Sequence, residues 1–222
     1  MDWYPLINSV RIAAISSAAV FFAGILAAYY ATRLPRGLKG ALDVLLTLPL
    51  VLPPTVCGYF LLMLFGARRP LGVFLAQFGI RFVMTWYGGV LTAALVAFPL
   101  MYRTARGAFE SFDETLAYAG QTLGLKNSFI FWHIRLPACR QGISAGIVLA
   151  FARALGEYGA TSMLIGYTPG RTATIATTVY QLWRTNNDAA AFTWVAVDIA
   201  ISALVLVAVN MLESRGGKAA AG

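Results

Sequence analysis

Hydrophobic and polar positions alternate along this chain on a coarse scale. Five apolar runs, at about 10–32, 42–65, 88–104, 142–166 and 192–212, are separated by shorter polar stretches. A helix needs about 20 mostly apolar residues to cross a bilayer, so the pattern predicts an all-α integral membrane protein built as a bundle of about five spanning helices. Aromatic residues mark the ends of the runs, as membrane interfaces favour. Trp3 and Tyr4 precede the first, Tyr29 and Tyr30 close it, Trp86 and Tyr87 open the third, and Trp194 lies near the start of the fifth. The first run is longer than the ~7–15 residues of a signal-peptide core and lacks a basic leader. It is read as a retained helix.

Two loops are too apolar to be plain linkers. Segments 70–82 and 170–183 are short and amphipathic, and either lie in the interface or dip into the membrane as re-entrant pieces. The second run contains Pro49, Pro53 and Pro54. Each removes a backbone donor, and such breaks persist in membranes where neighbours or a water-filled cavity satisfy the freed carbonyls. A kink beside a transport pathway and a kink that serves packing alone both fit.

Composition sharpens the picture. The 222 residues are 59% hydrophobic and only 12% charged, and the mean hydropathy is +0.71. The net charge of +8 raises nucleic acid as a partner, but the bases sit in short clusters between apolar runs, and no nucleic-acid-binding signature is present. Their distribution instead gives an orientation. Arg33, Arg36, Lys39, Arg103, Arg106, Lys126, Arg135, Arg140, Arg215 and Lys218 fall on one set of loops; Arg68, Arg69, Arg81, Arg171 and Arg184 fall on the other. The richer set belongs in the cytoplasm, which puts the N-terminus outside and the C-terminus inside. Cys57 and Cys139 are read as small buried hydrophobes, and His133, the only histidine, as a surface residue rather than a metal ligand. No cofactor is called for.

The loop between the third and fourth runs carries the most information. Ser111-Phe112-Asp113-Glu114 fits a capping box and Gly124 fits a helix stop, so a short helix of about a dozen residues is expected between them. Segment 129–136 is amphipathic and leads to Pro137, well placed to open the next helix. Gly124, then nine residues, then Ile134-Arg135-Leu136-Pro137 is similar to the G-x9-I-x-L-P part of the EAA loop of bacterial ABC importer permeases. The EAA triplet itself falls on Tyr118-Ala119-Gly120, of which only the alanine is kept.

The resemblance extends along most of residues 40–185. The run from Phe151 to Thr161 (FARALGEYGAT), the run Leu48-Pro49-Leu50-Val51-Leu52-Pro53-Pro54-Thr55-Val56, segment 66–79 and Pro169-Gly170-Arg171-Thr172 resemble molybdate and sulfate permeases, and the short chain favours the molybdate branch. The resemblance implies a type I importer permease domain over 6–213, with a flexible tail at 214–222. It implies that 111–137 is a coupling loop in which Tyr118, Ala119, Gly120, Leu123, Gly124, Ile134, Leu136 and Pro137 meet an ATPase. It also implies two ATPase copies, a second permease copy and an extracytoplasmic molybdate-binding protein. Tungstate or sulfate is the alternative cargo; a secondary transporter, which has no use for such a loop, is the alternative class. No G-x4-G-K-[ST] phosphate loop occurs: Gly216-Gly217-Lys218 is followed by Ala219. The chain is therefore not expected to be an enzyme.

Charges within the apolar runs are functional candidates by default. Arg153 and Glu157 are four apart on the fourth run, which predicts one helical face, with Gly142, Gly146, Ala150 and Ala160 on or near it. An ion pair that fixes packing and a lining for an anion route are both open. Asp198 on the fifth run is a weaker candidate.

Overall fold

The computed structural model describes the backbone of residues 2–218 and side chains as far as residue 207. Its elements are α1 (Tyr4–Ala31), α2 (Arg36–Val51), α3 (Pro54–Phe65), α4 (Pro70–Gln77), α5 (Trp86–Glu110), α6 (Glu114–Thr122) and α7 (Asn127–Ile130), then a π-helical turn over Phe131–Arg135. They continue with α8 (Leu136–Ala138), α9 (Arg140–Leu155), α10 (Gly159–Leu164), α11 (Ile175–Arg184) and α12 (Asp188–Lys218).

The centre is a packed trio of α1, α5 and α9. Lipid gives no hydrophobic drive for helices to associate, so close approach through small residues holds them together. The inward face of α1 supplies Ala13, Ser16, Ser17, Gly24 and Ala28, and that of α5 supplies Ala93, Ala97 and Ala105. A Cβ on Gly24 would lie 2.7 Å from Met101 Cγ, and one on Gly142 would lie 2.7 Å from Ala108 Cβ. Met101 and Tyr102 are fully buried at this junction.

Among the described residues, three helices are long and apolar enough to cross a membrane: α1, α5 and α12. The expected second span, 42–65, is broken into α2 and α3, which meet at 109° and make a fourth crossing only if taken together. Pro53 caps α3 and Pro54 opens it, while Pro49 is carried inside α2. Two adjacent residues without N–H groups explain why the break falls there. The expected fourth span, 142–166, is likewise not one helix. α9 ends at Leu155 with Gly156 as its cap, and the six-residue α10 follows. Of the five expected spans, three are thus continuous helices among the described residues and two, 42–65 and 142–166, are broken. α12 runs on to Lys218, past the expected start of the tail at 214, and residues 219–222 of that tail lie outside the described residues.

Contacts separate the two ends of the bundle. At one end the Tyr4 hydroxyl donates to the Arg171 carbonyl (2.6 Å), the Arg11 guanidinium lies 4.0 Å from the centre of the Trp86 ring, and Trp3 meets Trp194 edge-on. Phe65 packs on Phe82 there too. At the other end Tyr29 packs on Phe131 (4.5 Å between ring centres), Lys39 pairs with Glu110, and the Cys139 thiol donates to the Ala108 carbonyl (3.2 Å). Within segment 170–183, the stretch 172–178 is largely buried, and α11 packs on α12 and touches α1. Asn8 Nδ2 donates to the Ala173 carbonyl (2.9 Å), and Thr174 with Thr177 forms the capping box that starts α11. Segment 70–82 contributes α4, which stays exposed and rests its Gly72 against the backbone of Gly66.

Candidate functional site: a braced loop helix and two helix breaks

α6 stands at the same end of the bundle as Lys39 and Glu110. Its start differs from the capping box expected at Ser111. Asp113 is the N-cap, its carboxylate accepting from the Thr115 N–H (3.0 Å), while Ser111 closes α5 and donates to the Ala108 carbonyl. Buried Phe112 pins the turn between the two helices, which moves the start by two residues. The hydrogen bonds from Thr115 hold the Asp113 carboxyl below its ordinary value of 3.8. The cap is therefore fully present above that value and is lost as pH falls through the lowered one.

Because Asp113 takes the cap, Glu114 is free for another partner. Arg135 makes a bidentate pair with it, at 2.7 and 2.6 Å, and its guanidinium lies 4.5 Å from the centre of the Phe112 ring. Arg135 is 7% exposed. Two parallel charge-assisted bonds fix orientation as well as distance, so the first turn of α6 is braced on the π-helical turn. This brace was not foreseen. Arg135 is the variable position of I-x-L-P, and nothing in a 21-residue separation announces a contact.

The last turn of α6 ends in a Schellman motif. The Leu125 N–H reaches the Gly120 carbonyl (3.1 Å), the Gly124 N–H reaches the Gln121 carbonyl (2.9 Å), and Gly124 has φ +75°. That is the left-handed conformation this motif requires. Gly120 is buried against Ile130 and Ile134, with room for a Cβ only at 3.2–3.3 Å from their side chains. Leu136 and Pro137 form the short α8 that turns the chain into α9.

Outward, α6 presents Leu116 and Ala119, and its C-cap Leu123 continues the line at i, i+3, i+7, with Tyr118 beside them. Leu123 is 78% exposed and Tyr118 62%. α6 thus carries an exposed apolar stripe on a helix braced at its first turn. Behind it, a polar cavity of about 400 Å³ separates α6 from the end of α1, lined in part by Tyr29, Arg33, Glu110 and Gln121.

The second candidate lies where α9 breaks. Arg153 and Glu157 do not share a helical face, because α9 ends between them. They pair nonetheless: Arg153 Nη1 lies 2.7 Å from Glu157 Oε2. Glu157 Oε1 also accepts from the Ala160 N–H (2.7 Å) and so caps α10. The Glu157 side chain is 2% exposed and that of Arg153 29%. The break is seated on the other one, since a Cβ on Gly159 would meet Pro54 Cβ at 2.9 Å. Asp198 is half-buried on α12 and makes no ion pair among the described residues.

The family model described as the inner membrane component of binding-protein-dependent transport systems matches residues 20–216. This chain belongs to that family. It is similar to ModB, the molybdenum transport system permease protein of Escherichia coli (strain K12), with 41% identity over 218 residues, covering 96% of this chain and 92% of that one. YvgM of Bacillus subtilis (strain 168), named for molybdenum transport, is 36% identical over 212 residues, covering 95% and 93%. CysT, the sulfate transport system permease protein of Salmonella typhimurium (strain LT2), is 33% identical over 199 residues, covering 90% and 72%. In fold, the permease matches a bacterial ABC transporter involved in alginate import, with a TM-score of 0.77, 16% identity and coverage of 96% and 78%. It is thus a multi-pass inner-membrane permease, and ATP hydrolysis belongs to a separate subunit of the system.

Proposed function

We propose that this permease carries molybdate into the cell by alternating access. It works as a homodimer with two ATPase subunits, and an extracytoplasmic protein delivers the ion. The observation that carries the cargo is the 41% identity over 96% of the chain to a molybdenum permease. The sulfate permease is less similar and its own chain is covered only to 72%. The braced helix α6 supports the coupling role: a rigid lever fixed at both ends transmits closure of the ATPase to the bundle as a rigid-body shift.

The cargo is tested in cells lacking this protein. Molybdenum-dependent enzyme activity is expected to collapse at low external molybdate and to return when molybdate is supplied in excess. Loss of growth on sulfate with those enzymes intact would overturn the assignment.

The orientation proposed is N-terminus outside and C-terminus in the cytoplasm, with α6 on the cytoplasmic side. The lysine and arginine excess on the α6 end supports it. Single cysteines placed on α4 and on α6 read it out in intact cells. A membrane-impermeant maleimide is expected to label the α4 position and to miss the α6 position until the membrane is opened. The inverse pattern would reverse the orientation.

Arg153 and Glu157 are assigned to the pathway. Arg153 is part-exposed within a membrane-spanning region, and a charge there is tolerated on a protein-facing or water-filled side rather than toward lipid. An arriving dianion competes with Glu157 for the guanidinium, so the pair opens as the ion passes.

A further inference from the structure

α2 is attached to the bundle in an unusual way. It has no buried residue, and Leu38, Val44, Leu45, Leu48, Leu50 and Val51 are all exposed. Only Leu42 and Leu46 pack, in part, against the core. Its hold on α5 is polar. The Asp43 carboxylate accepts from the Tyr102 hydroxyl and pairs with Arg106, Lys39 pairs with Glu110, and Arg106 Nε lies 3.5 Å from Glu110. Tyr102 is fully buried, while the Asp43 and Arg106 side chains are 23% and 24% exposed.

Two cations and two carboxylates cancel, so this cluster has no surplus charge with which to hold an ion. What it can hold is one helix against another. Across the bend, the far end of α2 is held by a weak contact, the Cys57 thiol 3.9 Å from the Pro49 carbonyl. Pro53 and Pro54 offer no N–H to bridge the 109° bend. Beyond the bend α3 is fixed by contact, since a Cβ on Gly58 would fall 2.7 Å from Ala160 Cα. One side of the hinge is locked by packing and the other by a releasable set of charges.

We infer that Asp43, Tyr102 and Arg106, supported by Lys39 and Glu110, are positioning residues for transport. They form a latch that holds α2 against α5 in one of the permease's two arrangements and lets it swing about Leu52–Pro54 in the other. A ligand-driven shift between two arrangements requires contacts made in only one of them, and a charge cluster at the membrane edge exchanges its partners for water more cheaply than an apolar interface would.

Gly40 and Gly107 test this, because each has open space where a side chain would go. Spin labels at Gly40→Cys and Gly107→Cys, with Cys57→Ala and Cys139→Ala, report the α2–α5 distance in the full complex with its ATPase in lipid nanodiscs. The parent protein is expected to show a short distance in one nucleotide condition, either nucleotide-free or trapped with ATP and vanadate, and a longer component in the other. Asp43→Asn is expected to enlarge the longer component in both by roughly fivefold, the shift for about 1 kcal/mol of a part-exposed charge pair, and to change basal ATP hydrolysis with it. If Asp43→Asn does not assemble, the more exposed Lys39→Met, Glu110→Gln variant is read instead, with a smaller shift in the same direction. One short distance in every condition, unmoved by whichever variant assembles, would make the cluster a static clamp and overturn the latch.

Discussion

Gly124→Val is expected to leave the permease inserted in the membrane but to abolish its coupling to ATP hydrolysis. No atom lies within 4 Å of a Cβ built on Gly124, so the substitution meets no steric obstacle from neighbours. The obstacle is the backbone. At φ +75° an L-residue pays about 1–2 kcal/mol, and a β-branched one is a genuine outlier there. The chain relieves this by leaving the left-handed region, which dissolves the Schellman motif and frees the Gly120 and Gln121 carbonyls. Leu123, the exposed apolar residue that caps α6, then moves with the last turn. Packed interfaces tolerate such misfit poorly, and about 1.4 kcal/mol lost in docking lowers affinity tenfold. Purified with its ATPase, Gly124→Val is expected to retain that subunit at least about tenfold less tightly and to show no transport-stimulated hydrolysis. Gly124→Asn, which adopts the left-handed conformation more readily, is expected to keep most of both. Full stimulation in Gly124→Val would remove this loop from the coupling path.

The short helix and its stop at Gly124 were legible in the sequence because both rest on local rules. Glycine alone takes the conformation without strain, and the spacing to Ile134-Arg135-Leu136-Pro137 is a one-dimensional signal. The membrane class was legible for the same reason, since every apolar run is contiguous. Three features were not, and each is an interaction at a distance. The bend between α2 and α3 depends on how Pro54 and Gly58 are backed by α10, so the prolines marked a disturbance but not its angle. The Glu114–Arg135 brace joins two turns brought together only by the π-helical segment. Asp43 gave no sign of meeting Tyr102 and Arg106, because α2 and α5 are separated by α3, α4 and a loop. The Arg153–Glu157 pair is the instructive mixed case. Spacing of four suggested a shared helical face; the pair forms, but through the break after Leu155, with Glu157 turned back to cap α10.

That arrangement governs the expected behaviour of the pair under mutation. Arg153→Met leaves the Glu157 carboxylate, 2% exposed, without its counter-charge at a helix break. Breaking a buried pair by removing one partner costs roughly 3–5 kcal/mol, and the 29% exposure of Arg153 puts this case at the lower end. Adding Glu157→Gln removes the stranded charge. The glutamine oxygen can still accept from the Ala160 N–H, so the start of α10 survives. The double variant is therefore expected to recover most of the thermal stability, measured in detergent, that Arg153→Met loses. Glu157→Gln alone is expected to be milder than Arg153→Met, because the guanidinium it strands is 29% exposed rather than buried. Transport separates the two roles of the pair. If it served packing alone, the restored double variant would carry its ion at the normal rate. As a pathway pair it supplies the cation that the anion meets, and a methionine cannot replace that. Uptake of radiolabelled molybdate into proteoliposomes holding the complete transporter is expected to fall at least about tenfold in the stable double variant, the effect of about 1.4 kcal/mol on a barrier. Normal uptake there would return Arg153 and Glu157 to packing and place the anion route elsewhere in the bundle.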